Sequence, residues 1–280
     1  MKKTKKTLAI LLAAMMGLTI IAGCGSKDKP SEKVKEVKEE SKEDNKEPVK
    51  LIVATTCMTK PYSFYDDNNE PAGSEIELWK EISERTGYEI EFTVADFAGI
   101  TAAVDSKVAD VASNCLGYTE QRAEKYKLSD PYLYQGMYLT VREDDDSING
   151  IADLNGKKVA CGEESLTKAV IDDYAKKNNI QVDYLFAETG TYMMEVNLGR
   201  ADALVSQKVN FIQKMKTGEF QLKQVGEPLY EEQAVFLFRK DMNDEVVNNV
   251  NKAVKDMRED GTLSKIYNEW LEVDLSVSQL

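Results

Sequence analysis

The run Thr119-Glu120-Gln121-Arg122 places a hydroxyl that can cap a helix three residues ahead of a guanidinium in that helix's first turn. The unpaired backbone N–H groups of a first turn favour an anion, and a guanidinium beside them can hold a carboxylate through two parallel hydrogen bonds. The competing use of Arg122 is a solvated ion pair with Glu120 or Glu124. Ser165 follows the β-rich run Lys157–Cys161 and opens an amphipathic stretch, which suits a helix cap first and a ligand donor second. Phe97 and Tyr62 each follow an apolar run, where an aromatic ring either stacks on a bound molecule or fills a core. Cys57, Cys115 and Cys161 fall at or just after the ends of β-rich runs; a soft-metal or thiol site is one use of such a set, and small, partly buried thiols are the plainer one. With no histidine in the chain, histidine-dependent zinc sites and Ser-His or Cys-His triads are excluded. A general acid or base would have to be Asp, Glu, Lys, Tyr or Cys, and no arranged pair of these is evident, so neither an enzyme nor a metal or cofactor site is expected.

The elements that must position these residues alternate. "LIVAT" from Leu51 reads as a buried strand, "SEIELWKEISERTG" as a helix with Ile76, Trp79 and Ile82 at helical spacing and Gly87 as its stop, and "YEIEFTV" as the next strand. A short helix over 97–104, the strand "VADVAS" and the helix capped by Thr119 follow. A similar unit comes later: strand "KKVAC", a helix over 165–177, strand "VDYLF", a helix over 192–198, strand "ADALV" and a helix from Gln207. Such alternation predicts mostly parallel α/β sheets. Two extended segments, 136–143 and 233–240, separate the units, and two helices broken at Gly261 close the chain. The economical topology is one lobe built from both ends of the chain, 50–141 with 232–280, and a second lobe over 142–231 inserted into it. The cleft between them, at the carboxyl ends of the strands, is the place for a small ligand.

Before Leu51 nothing reads as core. Four lysines, an apolar stretch over 8–21 and the small pair Ala22-Gly23 form an export signal over residues 1–23. Its apolar part is shorter than the roughly 20 residues of a membrane span. Residues 26–50 hold eight Lys and eight Asp or Glu with almost no apolar side chain, so 24–49 reads as a solvated tether. The chain carries 36 Lys and Arg against 49 Asp and Glu; without the signal's four lysines the balance is 32 against 49, a net of −17. No nucleic acid partner is expected at that charge. The 230 residues from Leu51 exceed one comfortable core, in keeping with two lobes.

"IAGC" at 21–24 resembles the lipobox of bacterial lipoproteins, which implies that Cys24 becomes an acylated first residue and the protein a lipid-anchored one on the extracytoplasmic face of the cell membrane. The folded part resembles the type 3 extracellular solute-binding proteins of polar amino acid ABC transporters. The resemblance is carried by Pro61-Tyr62, "GSEIELW" at 73–79, Asp110, "TEQRAEKYKLSDPY" at 119–132, "LNGKKVA" at 154–160, "GRADALV" at 199–205 and "REDGTLSKIYNEWL" at 258–271. It implies a type II, two-lobed periplasmic-binding-protein-like fold and a monomer that closes on an amino acid or related carboxylate, its hinges near 140 and 235, and then docks on a permease. It further implies that Arg122 binds the ligand's α-carboxylate, that Phe97 stacks on the ligand, and that Tyr62 lines the opposite wall.

Departures from the pattern bear on the ligand. Cys115 and Gly117 stand where hydroxyl-bearing residues are frequent, leaving backbone N–H groups for the contact; Leu166 stands where another hydroxyl is usual; Thr59 replaces a frequent aromatic and Thr56 an acid. Gln207 occupies the place of an aspartate that meets the ligand's ammonium, so Glu163 or Glu164 is expected to take over that role; if neither faces the cleft, the expected ligand is a carboxylate whose other end is neutral. A sensory ligand-binding protein, and behind it a dehydratase-type enzyme on the same fold, are the alternative functions.

Overall fold

The computed structural model describes residues 48–280; the expected signal, Cys24 and nearly all of the tether lie outside the described residues. The chain runs β1 (Lys50–Thr55), β2 (Met58–Thr59), β3 (Ser63–Tyr65), β4 (Pro71–Ala72), α1 (Ser74–Thr86), β5 (Glu89–Val94), α2 (Phe97–Asp105), β6 (Val111–Ala112), α3 (Glu120–Lys125), β7 (Lys127–Leu128) and β8 (Leu133–Arg142). It continues through β9 (Lys157–Cys161), α4 (Leu166–Asn178), β10 (Val182–Phe186), α5 (Tyr192–Asn197), β11 (Ala203–Gln207), α6 (Lys208–Met215), β12 (Leu222–Ala234), β13 (Leu237–Phe238), α7 (Asp244–Glu259) and α8 (Thr262–Leu271).

Two five-stranded sheets organise the described residues, in the orders β5-β1-β6-β13-β7 and β10-β9-β11-β8-β12. In each, three neighbouring strands are parallel, β5-β1-β6 and β10-β9-β11, so their carboxyl ends share one edge. The strand expected over 108–113 keeps only Val111–Ala112 in the ladder, because Asp110 turns its carboxylate onto the Ile52 N–H at 2.8 Å and onto Arg239 at 3.1 Å. The extended segment over 233–240 is likewise two pieces. Ala234 ends a strand of the second sheet, and Leu237–Phe238 joins the first between β6 and β7.

The lobe division expected at 141/142 and 231/232 falls inside two strands and needs correction. Both β8 and β12 hydrogen-bond along their lengths within the second sheet, so 133–141 and 232–234 belong to that sheet. Yet Leu133 and Ala234 pack into the core of the first. The two crossing strands are thus shared, bonded to one lobe and packed into the other.

The first core is aromatic. Phe236 stacks on Tyr132 with ring centroids 4.2 Å apart and lies against Trp79 at 4.5 Å. Helix α7 closes this core with Val246, Val247, Val250, Val254 and Met257, an apolar stripe at helical spacing. Helix α8 adds Leu263, Tyr267 and Leu271, and the Tyr267 hydroxyl donates to the Tyr132 carbonyl at 2.8 Å. Gly87 ends α1 in the left-handed conformation, as its spacing predicts. Among the described residues no helix is long and apolar enough to cross a membrane.

Candidate functional site

The carboxyl edge of the first sheet carries most of the residues singled out from the sequence. After β5, Asp96 caps α2 by accepting the Gly99 N–H at 2.6 Å, which leaves Phe97 on the first turn, the residue 58% exposed. A phenyl ring that open is not filling a core. After β1 and after β6 the chain turns sharply, with Cys57 and Cys115 both at positive φ, 47° and 48°. That conformation is uncommon for a residue with a Cβ, so the surroundings must hold it.

At Cys115 the holding group is Glu75, in the first turn of α1. Its Oε1 accepts the Cys115 N–H at 2.8 Å, the Ser113 hydroxyl at 3.3 Å and the Tyr132 hydroxyl. The side chain is 2% exposed, and its Oε2 is buried with no hydrogen-bond partner among the described residues. Burial lifts the Glu75 carboxyl above its ordinary range although the three donors pull the other way. Burial also pushes the Cys115 thiol well up, as it raises the Cys57 and Cys161 thiols, so all three favour the neutral form. All three cysteines are free, and no cluster of three or more His, Cys, Asp or Glu with metal-binding spacing occurs among the described residues.

Beyond Cys115 the loop reaches Gly117, which bridges Ala234, and Tyr118, whose N–H donates to the Gln233 carbonyl at 2.8 Å. Thr119 then caps α3 by accepting the Arg122 N–H at 3.2 Å, as the sequence predicts. The half-buried Arg122 guanidinium folds back, and Nη1 donates to the Gly117 carbonyl. Within 4 Å it forms no ion pair with Glu120 or Glu124 among the described residues. Glu120 instead accepts the Tyr118 hydroxyl at 3.1 Å. A guanidinium has five N–H donors in a planar fork, and one backbone carbonyl does not use them up.

The carboxyl edge of the second sheet carries Cys161, Gly162, Leu166 and Gln207. Ser165 accepts the Lys168 N–H at 3.2 Å and donates its own proton to the Gly162 carbonyl at 2.8 Å, so it is a cap with its donor already engaged. Leu166 is exposed, and so are Glu163 and Glu164, which sit in the turn before α4. Gln207 is half-buried, and its Nε2 donates to Glu232 Oε2 at 3.0 Å. Glu232 escaped the sequence reading because β12 carries Gly226 and Pro228, which read as a turn, and shows no alternation around them.

Tyr62 is 7% exposed and belongs to the first core, with its hydroxyl accepting from Gln135 Nε2 at 2.9 Å. Burial in the same apolar core as Leu78 and Trp79 accounts for the inward ring.

Glu75 yields a pH prediction. Because burial raises its folded-state value above that of the unfolded chain, the protonated form favours folding. The contribution is fully present below the unfolded value of about 4.3 and is lost as pH rises through the raised folded value. Glu75→Gln keeps an oxygen for the three donors and carries no charge. Its melting temperature is expected to exceed that of the unaltered protein by a few degrees at about pH 8, with the gap closing towards about pH 4. Equal pH dependence of the two melting curves would contradict a buried ionisable role.

Comparison with known proteins agrees with this architecture. Residues 51–273 match the bacterial extracellular solute-binding proteins, family 3. The chain belongs to that family. It is similar to the "Probable amino-acid-binding protein YxeM" of Bacillus subtilis, 29% identical over 280 residues with 99% of each chain covered. It is also similar to PatH of Vibrio harveyi, provisionally named an amino-acid ABC transporter-binding protein, 33% identical over 217 residues covering 77% of this chain and 86% of PatH. In fold it matches the crystal structure of the probable amino-acid ABC transporter extracellular-binding protein YtmK from Bacillus subtilis, at a TM-score of 0.69 and 24% identity, covering 81% of this chain and all of the other. The fold is the two-lobed type II arrangement of periplasmic binding proteins, and the protein is a solute-binding one.

Proposed function

We propose that this protein is the extracytoplasmic binding component of an ABC importer, taking up an amino acid or an amino-acid-like carboxylate, and that it has no catalytic role. The observation that carries the reading is Arg122: a half-buried guanidinium, unpaired by either neighbouring glutamate and steered by the Gly117 carbonyl, on the edge where Phe97 stands exposed. Such a fork suits a carboxylate, with the Gly117 backbone N–H beside it completing the contact, since the Cys115 N–H is already held by Glu75. The names carried by YxeM and PatH favour the same ligand class and the same kind of transporter. Closure of the lobes on the ligand is driven by contacts made only when both touch it, with bending where β8 and β12 pass from one core to the other. Acylation at Cys24 and the charged segment over 24–49 would keep a single copy on the outer face of the membrane, within reach of its permease.

A thermal-shift screen against the standard L-amino acids, L-cystine, small dicarboxylates and short peptides tests this. One class is expected to raise the melting temperature in step with its concentration, because it binds only the folded state. A flat response to the whole panel would refute amino acid capture.

A further inference from the structure

An amino acid held by its carboxylate at Arg122 brings an ammonium into the same cleft, and a desolvated ammonium needs an anion. We infer that Glu232, on the crossing strand β12, supplies that anion and that Gln207 orients it; the inference rests on the proposed amino acid function. Three observations converge on this carboxylate. Glu232 stands two residues before Ala234, which bridges Gly117, and its neighbour Gln233 accepts the Tyr118 N–H, so this stretch of strand lies against the Arg122 loop. On the other side, Gln207 at the carboxyl end of β11 donates its amide to Glu232 Oε2 at 3.0 Å, so the same side chain touches the second lobe's edge. Side chains alternate along a strand, so Glu232 shares a face with Tyr230, whose hydroxyl meets Thr167 at 2.8 Å in the first turn of α4. That face therefore looks onto the ends of β9 and β11.

Glu232 is half-buried, and no Lys or Arg lies within 4 Å of it among the described residues. Among the described residues one amide donor compensates its charge, and Oε1 is left to accept a further one. The other acids near the cleft are less suited. Glu75 lies beneath the Cys115 loop with Oε1 already taken by three donors. Glu163 and Glu164 are exposed in a turn, where water would screen them. An anion on the crossing strand also links ammonium recognition to the segment that bends.

The test compares the unaltered protein with Glu232→Gln, with the exchange Glu232→Gln plus Gln207→Glu, and with Arg122→Ala. The probe is a mixture of the standard L-amino acids with L-cystine, and the readout is the thermal shift over a range of concentrations. Glu232→Gln is expected to need about 100-fold more probe for the same shift, and the exchange, which returns a carboxylate to the other side of the same contact, to restore most of the response. Melting temperatures without probe report any fold effect; should Glu232→Gln fail to fold, the exchange variant alone decides. A full shift in Glu232→Gln, or no recovery in the exchange, overturns the assignment, while loss in Arg122→Ala leaves amino acid capture standing. No shift in the unaltered protein overturns amino acid capture itself.

Discussion

Arg122→Ala is expected to abolish amino acid binding while leaving the fold intact. Truncating one partner of a desolvated, hydrogen-bonded charge pair costs about 2–5 kcal/mol, a loss of roughly 30-fold to several thousand-fold in affinity. Among the described residues the guanidinium donates to one backbone carbonyl, Gly117, and α3 keeps its Thr119 cap without it. The melting temperature of the ligand-free variant should therefore stay close to that of the unaltered protein. Arg122→Lys preserves the charge and loses the planar fork, so its affinity should fall between the two. Isothermal titration with the amino acid that gives the largest thermal shift checks this. Unchanged affinity in Arg122→Ala would place the carboxylate elsewhere.

The second large effect is on stability. Phe236→Ala is expected to cost about 3–5 kcal/mol, because the ring is fully buried between Tyr132 and Trp79 and its removal leaves a cavity that rigid aromatic neighbours cannot close. Phe236 also ties the crossing segment to the first lobe. Its N–H donates to the Ser129 hydroxyl at 2.8 Å and its carbonyl accepts the Ser129 N–H at 3.1 Å, just beyond α3 and β7. Denaturant unfolding should show a lowered midpoint with an unchanged slope. A loss below about 1 kcal/mol would mean that this core is far more plastic than its packing implies.

The parts legible in the sequence are those set by local rules. Thr119 and Ser165 read as caps by residue type and spacing, and the structure uses both side chains on N–H groups of the first turn; Asp96 caps α2 in the same way without having been singled out. The apolar stripe of α1 was equally plain, and it held an unread signal: Glu75 lies four residues before Trp79 and seven before Ile82, on the buried side. An acid on an apolar stripe is a buried carboxylate in waiting. What the sequence could not show depends on contacts between distant segments. Gln207 meets Glu232 across 25 residues, and Tyr62 meets Gln135 across 73, and neither pair follows from local pattern. The crossing strands were misdivided for the same reason, since sharing a strand between one lobe's hydrogen bonds and the other's core leaves no mark on its composition.

The central claim is that one amino-acid-like carboxylate is captured per protein molecule at Arg122. Equilibrium dialysis of the protein against a complete mixture of free amino acids, followed by mass spectrometry of what is retained, tests it most directly. The account predicts retention of a single class at a ratio approaching one to one, and none with Arg122→Ala. Retention of nothing by the unaltered protein, or equal retention by the variant, would contradict it.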